Sequence, residues 1–193
     1  MIRPIYLLGN PELRRVTQPV EHIDEQIRTL VADMIETMHH ASGIGLAAPQ
    51  IGRIERIFVV DLSPMADSLQ EEGIEIPPQP MVFLNPRITE SGDHESDYEE
   101  GCLSIPDIHE EVRRPERIVM SYRDMDFVER TEEFDGMLAR VIQHEYDHLE
   151  GVLFLDHITP LRRRLLKRRL RDITNGVTEA DYPVYALGKG ELA

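Results

Sequence analysis

Two stretches of the chain place apolar residues at helical spacing. Between Asp24 and His40 they fall at Ile27, Leu30, Val31, Met34, Ile35 and Met38, which predicts an amphipathic helix with Asp24 as its N-cap. The second stretch is MLARVIQHEYDHLEG, from Met137 to Gly151. One stripe of that helix carries Met137, Val141, His144 and His148, and the next carries Leu138, Ile142 and Leu149 beside Glu145. Its histidine-bearing side is therefore expected to be buried. Gly136 precedes the helix and Gly151 follows it, where a left-handed cap commonly ends a helix. Strand patterns occupy Arg56 to Leu62, Met81 to Thr89, Arg117 to Arg123 and Phe127 to Phe134. Strands that mostly precede the second helix predict an α+β fold, with mixed, mainly antiparallel sheets packed around that helix. Leu161, Leu165, Leu166, Leu170 and Ile173 form one apolar side and predict a C-terminal helix over Thr159 to Ile173, with the residues from there to 193 as a tail.

The connections are as informative as the elements. In GIGLAAPQIG, Gly43 to Gly52, the glycines let backbone approach another group closely and Pro49 prevents helix continuation. The segment lacks both the lysine and hydroxyl of a P-loop and the dinucleotide-binding pattern, so it is not a phosphate cradle. Gln50 is its polar side chain; by itself it fits backbone satisfaction better than chemistry. Ser63 to Pro80 is acidic and proline-bearing and reads as a surface loop or lid. His39 and His40 close the first helix and read as structural.

The spacing H-E-x-x-H at His144, Glu145 and His148 supplies two neutral nitrogens to one ion and a carboxylate within reach of a water beside it. A catalytic site of this kind usually needs a third protein ligand and one open position. Cys102, in EGCLSIP from Glu100 to Pro106, completes a Cys-His-His set. Two other classes fit part of this pattern. An endopeptidase would take its third ligand downstream of the helix, and a structural zinc site would need a fourth ligand, for which no second cysteine exists.

Length and composition narrow the setting. With 193 residues, 41% of them hydrophobic, the chain suits one domain spanning 1–193. A single cysteine excludes an intramolecular disulfide and points to a reducing compartment. No apolar run is long enough for a membrane span or a signal peptide, so the cytoplasm is the expected location. The net charge of −15 argues against a surface that coats DNA. It is unevenly spread: Thr159 to Asp172 holds seven basic residues against one acid, and the rest of the chain holds 14 basic and 35 acidic residues.

GIGLAAPQIG, EGCLSIP and QHEYDHLEG together, in this order and spacing, resemble the peptide deformylases. The similarity runs from LGNPELRRV near the start through FLDHI, leaving out the acidic loop and about the last forty residues. The resemblance implies a compact α+β fold around the metal helix and removal of the formyl group from N-formylmethionyl nascent peptides. It implies Fe2+ as the ion, with Ni2+, Co2+ or Zn2+ able to substitute, held by Cys102, His144 and His148. It also implies Glu145 as acid/base and Gln50 with the Leu103 backbone N–H as oxyanion partners. Ile44, Met137 and Val141 are candidates for the methionine pocket, and Gly43, Gly45 and their neighbours for pairing with an extended peptide. His109 stands where relatives often carry an arginine, and Arg140 is expected to face solvent. The C-terminal helix reads first as a docked terminal helix with a solvated basic exterior, and it also resembles basic helices that dock on ribosomal RNA.

Overall fold

The computed structural model describes residues 1–192. In chain order the elements are β1 (Ile5–Tyr6), α1 (Glu25–His40), β2 (Gly45–Ala47), β3 (Ile57–Val60), α2 (Ala66–Glu71), β4 (Met81–Ser91), β5 (Glu95–Cys102), β6 (Ile105–Pro115), β7 (Arg117–Arg123) and β8 (Glu129–Asp135). They continue with α3 (Gly136–Leu149), α4 (Pro160–Leu165), α5 (Lys167–Thr174), β9 (Val184–Ala186) and β10 (Gly190–Leu192). A five-stranded antiparallel sheet runs in the order β2-β3-β4-β7-β8, and β5 with β6 forms a two-stranded antiparallel hairpin. β1, β9 and β10 form a third sheet, in which β1 pairs parallel with β9. Among the described residues no helix is long and apolar enough to cross a membrane.

The first helix forms as its spacing predicts. The Asp24 side chain accepts from the Ile27 N–H at 2.9 Å, satisfying one of the donors that a helix start leaves free. Its apolar face packs with Leu46, Ala48, Ile57 and Val59 in one core cluster. On the other side of β2, Ala47 joins Phe58, Phe83, Ile118 and Phe134 in a second cluster, which takes in Ala139, Val141, Ile142 and Leu149 of α3. Gly43 to Gly52 is thus partly ordered: β2 is followed by a 3-10 turn over Ala48–Ile51, ended by Gly52 at φ 74°. That turn carries Gln50, which is buried.

α3 is buried almost all round, with Arg140, Gln143, His144, Glu145 and His148 among its enclosed residues. So many enclosed polar groups need partners, and those partners build the site described below. Asp135 occupies the N-cap position without a side-chain hydrogen bond to the helix, Gly136 is the first helical residue, and Gly151 follows at φ 71°.

Four sequence expectations need correction. Ser63 to Pro80 is not all loop, because α2 forms within it and buries Leu69. The C-terminal helix breaks at Leu166 into α4 and α5. Only part of its apolar side docks: Ile173 is buried and Leu166 and Leu170 pack on the third cluster, whereas Leu161 and Leu165 are exposed. The final residues are not a plain tail, since β9 and β10 complete a sheet with β1. Arg140 does not face solvent; it is buried and donates to the carbonyls of Val112 at 2.9 Å and Ser96 at 2.8 Å.

Candidate active site

Two distant segments supply the three candidate ligands. Cys102 ends β5, at a register shift in the β5–β6 hairpin, while His144 and His148 lie one turn apart on α3. One donor atom from each residue lies within 4.8 Å of the others, and the Cys102 Sγ stands 3.3 Å from the His148 Nε2. A tetrahedral ion with bonds of about 2.1 Å to nitrogen and 2.3 Å to sulfur holds its donors about 3.5 Å apart, so this group fits one ion of that kind. The donor set suits iron, zinc, cobalt or nickel and not a hard cation such as magnesium or calcium. Among the described residues the group holds three ligands, which leaves a coordination position open, as catalytic sites require.

The His144 ring is oriented by a buried ion-pair network. Its Nδ1 lies 2.9 Å from a Glu100 carboxylate oxygen, which leaves Nε2 for an ion. Glu100 is gripped by Arg114 through two bonds of 2.7 and 3.0 Å, and Arg140 adds a third at 3.3 Å. Burial alone would raise the Glu100 carboxyl, but the hydrogen bonds from His144 and Arg114 outweigh it and hold the group well below the usual carboxylate range. Arg114 also donates to Asp147 at 2.7 Å, and Asp147 lies 2.7 Å from the His157 Nε2. The network thus reaches from the ligand His144 to the partly exposed His157. On His148, burial and then the nearby His144 hold the imidazole well below its ordinary value, which favours the neutral form that binds metals.

Glu145 lines the same cleft, and one of its carboxylate oxygens is buried without a protein partner among the described residues. Burial pushes its carboxyl up to about 7, with the positive charge of His144 opposing. A carboxylate tuned there is suited to taking and returning a proton near neutral pH. Gly45 makes its position possible, because a Cβ on that residue would overlap the Glu145 carboxylate. Gln50 is held by its own loop: its Oε1 accepts from the Ala47 N–H at 2.8 Å. Its Nε2 is thereby turned toward the Cys102 Sγ at 3.5 Å and the Ser104 Oγ at 3.3 Å. The bland role of Gln50 as backbone partner and its reach into the site come from opposite ends of one amide.

Of the residues singled out from sequence, Cys102, His144, His148, Glu145 and Gln50 converge. Gly43, Ile44, Gly45, Leu103 and Val141 line the cleft of about 490 Å³ beside them. Met137 is not among the lining residues; it packs against the second core cluster. His109 lies on the lining, its ring against Gly101. Sequence reasoning missed Glu100, Arg114, Ser104 and Asp147. Glu100 stands inside the EGCLSIP motif and could have been found there, since a ligating imidazole needs a partner for its other nitrogen. Arg114, far along β6, carries no local signal.

Comparison with known proteins agrees with this geometry. The polypeptide deformylase family model matches residues 2–164. Peptide deformylase of Salinibacter ruber is 58% identical over 184 residues, 95% of this chain and 94% of that protein. Peptide deformylase of Prosthecochloris aestuarii is 45% identical over the full length of both chains, so the similarity extends through the last residues. Among solved structures, peptide deformylase from Ehrlichia chaffeensis superposes with a TM-score of 0.81 at 34% identity, covering 91% of this chain and 98% of that one. Peptide deformylase from Legionella pneumophila gives a TM-score of 0.79 at 36% identity over 91% and 96%.

Proposed function

This chain belongs to the peptide deformylase family, metal-dependent hydrolases that release formate from N-formylmethionyl nascent peptides, and from that premise we propose how its residues divide the work. The carrying observation is the meeting of the Cys102, His144 and His148 donors beside a buried, unpartnered carboxylate oxygen of Glu145. Those three residues would hold a ferrous ion, or nickel, cobalt or zinc in its place, supplying Lewis acidity toward the formyl oxygen and the attacking water. Glu145 takes the proton of that water as it adds to the formyl carbon, and later returns it to the departing amine. Gln50 Nε2 and the Leu103 backbone N–H hold the oxygen that becomes negative, each donor contributing about 3 kcal/mol. Ile44 and Val141 form the apolar end for the methionine side chain. The edge position of β2 in the five-stranded sheet supports pairing of the Gly43–Gly45 stretch with an extended peptide, through main-chain bonds that ignore later side chains. We further assign the activity to one catalytic domain over 1–193 in the cytoplasm, where nascent chains emerge.

The test is formate release from formyl-Met-Ala by protein purified without oxygen, with the metal quantified in the same sample. One ion per chain and highest turnover with iron(II) are expected, with no cleavage of unformylated peptides. Turnover independent of metal content would overturn the assignment of the ligands.

The basic C-terminal segment supports a ribosome contact. Arg162 and Arg163 are engaged by Glu110 and Asp156, but Arg164, Lys167 and Arg168 project exposed. Changing these last three to glutamate is expected to weaken co-sedimentation with ribosomes about tenfold or more at low salt, and to flatten its salt dependence. Unchanged co-sedimentation would remove this contact.

A further inference from the structure

The turn that joins β5 to β6 carries groups the reaction draws on, and its own sequence does not shape it. Cys102 pairs with Ile105 across the hairpin, so Leu103 and Ser104 make the turn between a candidate metal ligand and the start of β6. Two-residue hairpin turns that match the strand twist need a positive φ at their first residue or at both, and favour glycine or asparagine there. Leu103 and Ser104 are neither of these, and neither has a positive φ. The conformation of the turn, and with it the direction of the Leu103 N–H, therefore has to be held from outside the hairpin.

Three segments hold it. Gln50 donates through Nε2 to the Ser104 Oγ at 3.3 Å, and the Leu8 N–H, just after β1, donates to the Ser104 carbonyl at 2.9 Å. Both of those bonds fall on Ser104. The Leu103 carbonyl is held by Tyr182 instead, whose hydroxyl donates to it at 2.9 Å. Tyr182 is itself anchored, because its ring packs against the first and third core clusters and the β9 strand that follows is paired to β1, with the Ile5 N–H donating to the Pro183 carbonyl at 2.9 Å. Burial holds the Tyr182 hydroxyl above its ordinary value, so it stays protonated and able to donate. Peptide planarity leaves only the φ and ψ of Leu103 between its carbonyl and its own N–H, so a fixed carbonyl restricts where that N–H can point.

We propose that Tyr182 is a positioning residue for deformylation: its hydroxyl, by holding the Leu103 carbonyl, sets the direction of the Leu103 N–H that receives the oxyanion. This rests on the deformylase reading above and adds to it a residue from the C-terminal segment. Tyr182 acts through the turn and not on the reacting atoms. Its effect falls on the transition state, where the formyl oxygen becomes charged, and so belongs in kcat and not in KM. Losing an oxyanion donor outright costs about 10² to 10³ in kcat, and a donor left in place but free to turn should cost less, about five- to thirtyfold.

Tyr182→Phe on the metal-loaded full chain tests this, because it removes one oxygen and keeps the ring packing. Per bound ion, kcat for formyl-Met-Ala should fall about five- to thirtyfold while KM stays within about twofold. The factor should be the same at every pH, since the Glu145 carboxylate is not touched. Tyr185→Phe makes the same chemical change in β9, where the ring stacks on Tyr6 at 4.5 Å, and should leave kcat at the parental value. In the metal-free chains, amide hydrogen exchange over residues 102–105 should quicken in Tyr182→Phe and not in Tyr185→Phe. Parental kcat per ion in Tyr182→Phe, a loss confined to KM, a loss that changes with pH, an equal loss in Tyr185→Phe, unchanged exchange at the turn, or a Tyr182→Phe chain that no longer folds overturns the assignment. A parent chain that releases no formate overturns instead the active-site reading on which it rests.

Discussion

Alanine at Cys102 is expected to strip the protein of its ion. Two histidines remain, and they sit one turn apart on a single helix, so they can hold an ion from one side only. The thiolate is the ligand that arrives from a different element, the end of β5, and closes the site across the cleft. Metal content after extensive dialysis should fall from about one ion per chain to a small fraction, and formate release should fall with it. The scaffold itself should persist, because the change removes one sulfur from a half-buried position and leaves the Gln50 Nε2 its bond to the Ser104 Oγ. Elemental analysis with circular dichroism separates the outcomes. Stoichiometric metal and full turnover in a folded Cys102→Ala protein would mean that the ion sits elsewhere.

How much of this could be read from sequence depended on whether a side chain's partner was near in the chain. The histidines of α3 were legible because a helix repeats its geometry, and four residues suffice to place two imidazoles on one face. α1 was legible for the same reason, down to its Asp24 cap. β7 was found with its full bounds from the strand pattern at Arg117 to Arg123. The β5–β6 hairpin was not found. Along β6 the inward positions are Ile108, Glu110, Val112 and Arg114, so the alternation that marks a half-buried strand is broken by two charged residues turned into the protein. Those charges are buried because Arg114 is paired with Glu100 and Asp147, and Glu110 with Arg162, and a pattern search has no access to such distant partners. Arg140 failed for the same reason: an arginine beside an apolar stripe usually snorkels to water, but here Glu100 and two carbonyls await it inside. The split of the C-terminal helix at Leu166 has no proline or glycine to announce it. The apolar pattern over Leu161 and Leu165 promised a docked face, and both side chains are exposed instead.

Glu145→Gln should leave the ion in place and remove most of the turnover. Glutamine keeps the shape of the side chain, fits beside Gly45, and does not touch the Cys102, His144 and His148 donor set. It cannot accept the proton of the attacking water. Loss of a general base alone lowers the rate about 10² to 10⁴-fold. Because the same carboxylate must also return the proton to the leaving amine, the upper end of that range is expected. The loss belongs in kcat, since peptide binding draws on Ile44, Val141 and the edge of β2, which the change leaves alone; KM should move little where it approximates a dissociation constant. The pH profile gives an independent reading. Burial pushes the Glu145 carboxyl up to about 7. The parent enzyme should therefore lose kcat/KM as pH falls through the carboxyl's titration, where the base becomes protonated, and the residual activity of the glutamine variant should lack that limb. Formate release from formyl-Met-Ala across pH, with metal quantified in each sample, decides it. A fully metallated variant with near-parental kcat and an unchanged acid limb would take the proton-transfer role away from Glu145.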